Sequence, residues 1–139
     1  MKPNLILHVV AKFLIPLIIV FSLYVQFHGD FGPGGGFQAG VIFSAAFILY
    51  ALVFGLDAAE KIIPSQWLHM LAALGLVLYA GVGVVTLLLG GNYLDYTVLG
   101  ATQIAGQHLG ILLVELGVGI TVGAVMLIIF FAFAGRGRT

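Results

Sequence analysis

The stretch HGDFGPGGGFQAG, residues 28–40, interrupts a chain that is otherwise almost continuously apolar. Five of the eight residues from 29 to 36 are glycine, and Pro33 stands among them. Glycine gives the backbone its widest conformational freedom and, having no Cβ, lets another segment approach closely. Such a stretch has three interpretations: a phosphate-binding loop, a flexible linker, or a tight turn that permits close packing. The residues around it decide among them.

The composition indicates the class of protein. Aliphatic and aromatic residues make up 62% of the 139 positions, and only 7% are charged. Soluble domains carry roughly a quarter charged residues, so the chain is predicted to be an all-α integral membrane protein. Its five basic and five acidic residues cancel, which gives no electrostatic reason to expect a nucleic-acid partner. Because cysteine is absent, disulfides and thiolate metal sites are excluded, and neither a metal nor a cofactor is predicted.

Four apolar blocks are long enough to cross a bilayer, which takes about 20 helical residues. They cover residues 5–27, 37–56, 67–89 and 108–133, so the quoted stretch separates the first two. The first block ends in YVQFHGD rather than in a small-residue cleavage site, and it is therefore interpreted as a retained helix rather than a signal peptide. The connectors leave no room for a soluble domain, and we expect one four-helix membrane domain over residues 1–139.

The cations indicate an orientation. All of them lie near the termini or in the second connector: Lys2, Lys12, Lys61, Arg136 and Arg138. The first and third connectors contain Asp30 and Asp95 but no Lys or Arg. Under the positive-inside rule, both termini and the connector GLDAAEKIIPSQ are predicted to be cytoplasmic. The expected location is the cell (inner) membrane, as a multi-pass protein surrounded by the lipid bilayer.

Glu115, inside the fourth block, is the first candidate for ion handling. Helical spacing places His108 at i−7, Gly119 at i+4 and Gly123 at i+8 on nearly the same face. A G-x-x-x-G pair marks a face that another helix approaches closely, so Glu115 is predicted to face protein rather than lipid. A central carboxylate is costly unless it is protonated, paired or hydrated. Two hypotheses stay open: Glu115 and His108 handle a proton or cation, or Glu115 is a neutral acid that acts as structural glue.

The first block carries a second pair of polar candidates, His8 and Lys12, which are i, i+4 neighbours on one helical face. Pro16 has no N–H for the carbonyl of Lys12, which is left free. In one interpretation Lys12 extends back to the cytoplasmic headgroups. In the other, His8 and Lys12 line a polar entrance that faces a neighbouring subunit. His8 and Lys12 are therefore candidates for an ion or proton path, together with Glu115 and His108.

The third block offers Thr86, which is expected to bond the backbone of its own helix.

The glycine-rich stretch does not fit a phosphate-binding loop. A Walker loop needs Gly-Lys-Ser/Thr at the start of the helix, whereas Phe37-Gln38-Ala39 follow the glycines here. A flexible linker is polar and repetitive, and this stretch is a short turn between two predicted spans. The remaining interpretation is a tight reversal whose bare backbone permits close contact between helices or subunits. The N–H groups at the start of the second helix are expected to hold an acidic side chain, from a partner or from Asp30.

The stretch resembles the signature H-G-x-x-x-P-G-G-G-F-Q-x-G of the MnhB/MrpB family, whose members are the B-type subunits of multisubunit Na+/H+ antiporters. The matching positions are His28, Gly29, Pro33, Gly34, Gly35, Gly36, Phe37, Gln38 and Gly40. Length, four spans and a basic carboxyl end extend the resemblance over essentially the whole chain. It implies a non-enzymatic accessory subunit that assembles with other Mrp-type subunits around transported Na+ and H+. The family supplies no catalytic residue, so the ion-path candidates depend on the residues alone.

Two other functions stay open. Related B-type subunits occur in membrane-bound hydrogenase assemblies, so a redox-driven ion-pumping complex is the main alternative. The second alternative is a small self-assembling channel in which Glu115 rings the pore. Transporters that alternate access are commonly built from internal repeats. Four short spans without a detectable repeat are too few for such a transporter alone, which favours a function that depends on partners.

Overall fold

The computed structural model describes residues 4–29 and 31–138, and within these ranges every regular element is helical. Five α-helices follow one another along the chain: α1 (Leu5–His28), α2 (Gly36–Phe54), α3 (Leu56–Ile62), α4 (Ser65–Leu88) and α5 (Gln103–Ala134). Two 3-10 turns cover Tyr96–Leu99 and Gly135–Arg138. The predicted all-α class is confirmed for this part of the chain. Lys2 and Asp30, which entered the predicted orientation, lie outside the described residues.

Four of these helices, α1, α2, α4 and α5, are long and apolar enough to cross a membrane. This confirms the four spans expected from the sequence. Helix α5 is the longest, with 32 residues, or about 48 Å. It begins more than a turn before the predicted start at residue 108, because the hydroxyl of Thr102 accepts a hydrogen bond from the N–H of Ala105 at 3.2 Å and caps the helix there.

The second connector is structured rather than a simple loop. Gly55, at φ 100°, ends α2 and starts α3 in a conformation that favours glycine. Helix α3 then carries Asp57 in its first turn and Lys61 in its last, an arrangement that suits the helix dipole. The hydropathy pattern did not predict this helix, since a helix of seven residues is too short to stand out beside the long spans.

The four long helices pack as an open row in the order α1, α2, α5, α4. Each helix makes most of its contacts with its neighbours in this row, and α1 touches α5 only briefly. Small residues permit the close approach: a Cβ built on Gly40 would lie 2.7 Å from the carbonyl oxygen of Gly119, and one built on Gly75 would lie 2.7 Å from that of Gly117. The middle of the row is therefore held by backbone-to-backbone contact between α5 and both of its neighbours.

Buried hydroxyl groups are satisfied within their own helices. Ser22, Ser44 and Thr86 each donate a hydrogen bond of 2.7–2.8 Å to the carbonyl three residues earlier. The expectation for Thr86 is thus confirmed. Its hydroxyl also accepts a 2.9 Å hydrogen bond from the N–H of Leu94, whose φ of 60° is unusual for a residue with a side chain. Thr86 thereby fixes the turn between α4 and α5.

Asp95 caps the 3-10 turn Tyr96–Leu99 between α4 and α5. The Asp95 carboxylate accepts hydrogen bonds from the hydroxyl and the N–H of Thr97, at 2.6 and 3.2 Å. These bonds lower the pKa of Asp95, because they favour its ionised form. Tyr96 packs on Gly106 and Gly110 of α5, where a Cβ would collide with it. The connector is therefore docked on the first turns of α5.

The two hairpins of the row reach different heights. The α1–α2 loop, residues 29–35, meets α5 at Glu115. Helix α5 begins at Gln103, about 18 Å along its axis before that contact. The α4–α5 hairpin therefore continues well beyond the α1–α2 loop.

Candidate functional site

The carboxylate of Glu115 lies against the α1–α2 loop. A Cβ built on Gly29 would lie 2.7 and 2.8 Å from its two oxygens, and one built on Gly35 would lie 3.1 Å from Oε1. These distances are too short for a real side chain without movement. The glycines of the loop thus provide the space that the carboxylate occupies.

Helix packing holds Glu115 in this position. A Cβ built on Gly36 would collide with the carbonyl oxygen of Glu115 and would lie 3.0 Å from the N of Gly119. One turn further along, a Cβ built on Gly40 would lie 3.0 Å from the N of Gly123. The prediction that Glu115, Gly119 and Gly123 form one contact face toward protein is confirmed. Its partner is the start of α2.

The loop conformation explains why Gly35 is glycine. Its φ of 124° lies in the region that favours this residue, and its N–H donates to the carbonyl of Val25 at 3.2 Å. Helix α2 starts at the next residue, so the positive end of its dipole and Glu115 are neighbours. The sequence predicted an acidic group beside these N–H groups, from a partner or from Asp30. Glu115 of the same chain is the acidic residue that the described part of the structure brings to them.

Gln26, one turn from the loop, is a residue that the sequence reasoning missed. It is 7% exposed, and its Nε2 atom has no hydrogen-bond partner among the described residues. A Cβ built on Gly119 would lie 2.6 Å from its Oε1 atom, so this glycine provides the space for the amide. The available signal was a glutamine inside an apolar span, two residues before the signature.

His108 lies about 10 Å along α5 from Glu115, nearer the start of the helix, and its side chain is exposed. The two residues share a helical face at different heights, as the spacing predicted. Across residues 4–29 and 31–138, no group of three or more His, Cys, Asp and Glu side chains is arranged to hold a metal ion.

His8 and Lys12 lie near the other end of α1. The Nδ1 atom of His8 donates to the carbonyl of Asn4 at 2.7 Å, and its ring meets the ring of Phe54 edge-on at 5.1 Å. Lys12 lines a separate cleft between α1 and α2 together with Pro16 and Tyr50. Lys12 is about 25 Å along α1 from Gly29. The four ion-path candidates therefore do not form one site: Glu115 lies beside the loop end of α1, His8 and Lys12 lie near its other end, and His108 lies further along α5.

Comparison with known proteins identifies the family. The family described as "Domain related to MnhB subunit of Na+/H+ antiporter" matches residues 6–128. The chain belongs to the MnhB family. The matched range includes the α1–α2 loop, Gln26 and Glu115, so every part of the candidate site near Glu115 lies inside the MnhB domain. Together with the four apolar helices, membership in the MnhB family makes the chain a multi-pass membrane protein.

Individual MnhB relatives are similar over nearly their whole length. The chain is 32% identical over 143 residues to the putative antiporter subunit mnhB2 of Staphylococcus haemolyticus, covering 97% of this chain and 98% of that protein. It is 31% identical over 129 residues to the B subunit of the Na(+)/H(+) antiporter from Bacillus subtilis, covering 86% and 90%. The putative antiporter subunit mnhB2 of Staphylococcus aureus (strain Newman) is 32% identical over 139 residues, with 97% and 98% covered.

Proposed function

We propose that the chain is a non-enzymatic accessory subunit of a multisubunit Na+/H+ antiporter in the cell membrane. It supports assembly with the other subunits and contributes Glu115 to the path of the cation or proton. Two findings support this function: the names of the full-length relatives, and the contact between Glu115 and the glycines of the α1–α2 loop. The proposal that Glu115 belongs to the ion path depends on the second finding, because Glu115 is ionisable and the loop that it contacts is the most distinctive part of the sequence.

The chemistry of the site suits exchange. A carboxylate in an apolar span needs a proton, a cation or hydration, and Na+ and H+ compete for the same oxygens. The carboxylate adjoins the N-terminus of α2, and the backbone of Gly29 and Gly35 lies directly beside it. Glu115 can therefore release a proton when a cation arrives, without a large change in the charge of the site.

The decisive experiment is Glu115→Gln in the complete antiporter complex. The variant keeps the size and hydrogen-bonding capacity of the side chain but removes the titratable charge. We expect Na+-dependent proton exchange in everted membrane vesicles to fall to background, while the other subunits copurify as in the wild type. The measurement is the dequenching of a pH-sensitive dye on addition of Na+.

Glu60→Gln is the matched control, because it makes the same chemical change in α3, outside the Glu115 site. It should leave exchange unchanged. If Glu115→Gln also keeps full exchange, Glu115 is structural glue in a tight helix crossing and the ion-path assignment is wrong. If electron-carrying subunits copurify with the chain instead of antiporter subunits, the redox-driven complex replaces the antiporter. A purified homo-oligomer that conducts ions by itself would instead establish the small channel.

A further inference from the structure

A cleft opens between α1 and α2 at the end of the bundle that lies opposite the α1–α2 loop. Five residues line it: Lys12, Ile15, Pro16, Tyr50 and Phe54. We call this the Lys12 cleft, and its volume is about 380 Å³. Lys12 is exposed and Tyr50 is half-buried, and polar atoms form part of the accessible lining. A ligand can therefore reach polar groups of the cleft from outside the protein.

The Lys12 cleft carries a positive charge and no carboxylate. Lys12 supplies an ammonium group and Tyr50 a phenolic hydroxyl, and both can donate hydrogen bonds. The described residues that line the cleft include no acid. A lysine in an apolar span is costly unless its charge is paired or hydrated. The cleft therefore favours an anionic ligand.

Pro16 adds a hydrogen-bond acceptor to the same cleft. Helix α1 continues past Pro16, which has no N–H to donate to the carbonyl of Lys12 four residues earlier. Lys12 and Pro16 both line the cleft and stand one turn apart on one helical face, so this carbonyl lies between them at the cleft. A ligand that satisfies the cleft combines an anionic group with a hydrogen-bond donor.

The depth of the Lys12 cleft is close to that of lipid headgroups. Tyr50 lies four residues before the end of α2 at Phe54, which is about 6 Å along the helix. Lys12 lies about 10 Å from the start of α1. The headgroup region of a bilayer is about 5–7 Å deep on each side, and the long stem of a lysine brings its ammonium group back to that level.

These features separate the possible ligands. The carboxylate of an Asp or Glu side chain only accepts hydrogen bonds, so it would leave the Lys12 carbonyl without a donor. A choline headgroup has no donor either, and an ethanolamine headgroup would bring a second ammonium group beside Lys12. A phosphodiester with hydroxyl groups in its headgroup supplies both the anion and the donor. Its acyl chains suit the apolar surface that continues along α1, whose residues are more than 60% exposed: Phe13, Leu17 and Val20.

We propose that the Lys12 cleft binds the headgroup of an anionic phospholipid that carries hydroxyl groups, such as phosphatidylglycerol. The phosphate lies against the ammonium group of Lys12 and the hydroxyl of Tyr50, and a headgroup hydroxyl donates to the carbonyl of Lys12. This inference goes beyond the proposed function and does not depend on it, because every group in the site belongs to the chain itself.

Two lipids of equal charge test the donor. The protein purified from membranes is delipidated in detergent and titrated, in native mass spectrometry, with phosphatidylglycerol or with phosphatidylmethanol. The second lipid keeps the single phosphate charge and lacks the headgroup hydroxyls. We expect phosphatidylglycerol to bind about twofold to tenfold more tightly, which is the contribution of one hydrogen bond. Pro16→Ala supplies the missing N–H and should abolish this difference. Equal affinities of the wild type for the two lipids would overturn the proposal.

Lys12→Gln tests the charge. One lysine beside anionic lipid corresponds to about fivefold in affinity, and we expect phosphatidylglycerol binding to weaken by at least this factor. Lys61→Gln is the matched control, because it removes the same charge from an exposed position of α3 outside the cleft lining. It should leave the affinity unchanged. Equal losses in the two variants would mean that the lipid responds to diffuse charge at this end of the bundle, and the proposed site would be wrong.

Two further measurements identify the source of the anion. Inorganic phosphate in large excess should not displace phosphatidylglycerol, because it lacks the acyl chains. Displacement by phosphate alone would make the cleft a site for the free anion and contradict the lipid. A carbodiimide crosslink between Lys12 and a carboxylate of another subunit would show that a protein side chain occupies the cleft, which also contradicts the proposal.

Discussion

At the scale of single residues, the α1–α2 loop contains glycines that are required for two different reasons. Gly35 is required by its backbone, since its φ is 124°. Gly29 has ordinary helical angles of −56° and −32°, and the atoms nearest to its Cβ position are the two carboxylate oxygens of Glu115 and the Cα of Gly35. A substitution at Gly29 therefore reports on contact with Glu115 without the strain of an unfavourable backbone.

Gly29→Ala is predicted to impair antiport while the carboxylate remains in the protein. The added methyl group would displace the Glu115 oxygens from the loop, because the distances of 2.7 and 2.8 Å cannot be kept. The measurement is the rate of Na+-dependent proton exchange in vesicles, together with copurification of the other subunits. Gly32→Ala is the control in the same loop, where a Cβ would meet only the ring of His28, at 3.1 Å. Equal exchange rates for the two variants would show that the loop does not position Glu115.

At the scale of elements, the crossing of α4 and α5 depends on an absent side chain. A Cβ on Gly75 would lie 2.7 Å from the carbonyl oxygen of Gly117 and 2.8 Å from the N of Thr121. Both are backbone atoms, which cannot rotate away. Gly81 lies on the same helix and has no neighbour within 4 Å of its Cβ position. The two glycines therefore form a matched pair.

Gly75→Ala is predicted to lower the free energy of unfolding by about 1–3 kcal/mol, as overpacking of a tight contact does. Gly81→Ala should leave it unchanged or raise it, since alanine favours the helix over glycine by roughly 1 kcal/mol. Thermal unfolding of the purified complex in detergent measures both. Equal destabilisation by the two variants would mean that helix propensity, and not the α4–α5 contact, governs this position.

At the scale of the whole molecule, hydropathy was enough to predict the four spans. Their length and apolarity differ sharply from those of the connectors, so this part of the fold could be read from the sequence. The contact face of Glu115 was also predictable, because glycines at four-residue spacing leave a visible pattern along one side of α5. In both cases the signal lies within a single helix.

Features that depend on two helices were not predictable. The long helices are apolar on nearly every side, so their sequences do not say which faces meet, and the open order of the row was not foreseen. Gln26 was missed for the same reason, since its burial comes from α5 and Gly119 rather than from its own span. The distance between Lys12 and Glu115 was likewise not predictable, because it depends on where the α1–α2 loop contacts α5.

The orientation of the whole molecule remains a prediction, and the absence of cysteine makes it testable. Both termini and α3 are predicted to be cytoplasmic, and the turn between α4 and α5 is predicted to face outward. Asn92→Cys should be labelled in intact cells by a membrane-impermeant maleimide, whereas Gln66→Cys should be labelled only after the cells are opened. Both side chains are exposed. The reverse labelling pattern would invert the topology while leaving the fold unchanged.

The unequal heights of the two hairpins bear on how an ion at Glu115 would couple to the membrane potential. The α1–α2 loop lies level with Glu115, whereas α5 extends about 18 Å further toward its own N-terminus. On the side of this loop, a charge beside Glu115 is therefore covered by less protein than it would be if both hairpins ended at the same height. A full crossing of the membrane couples one elementary charge to about 2.3 kcal/mol per 100 mV. An ion that reached Glu115 from the loop side would cross only part of that potential difference, so the remainder would drive its second step.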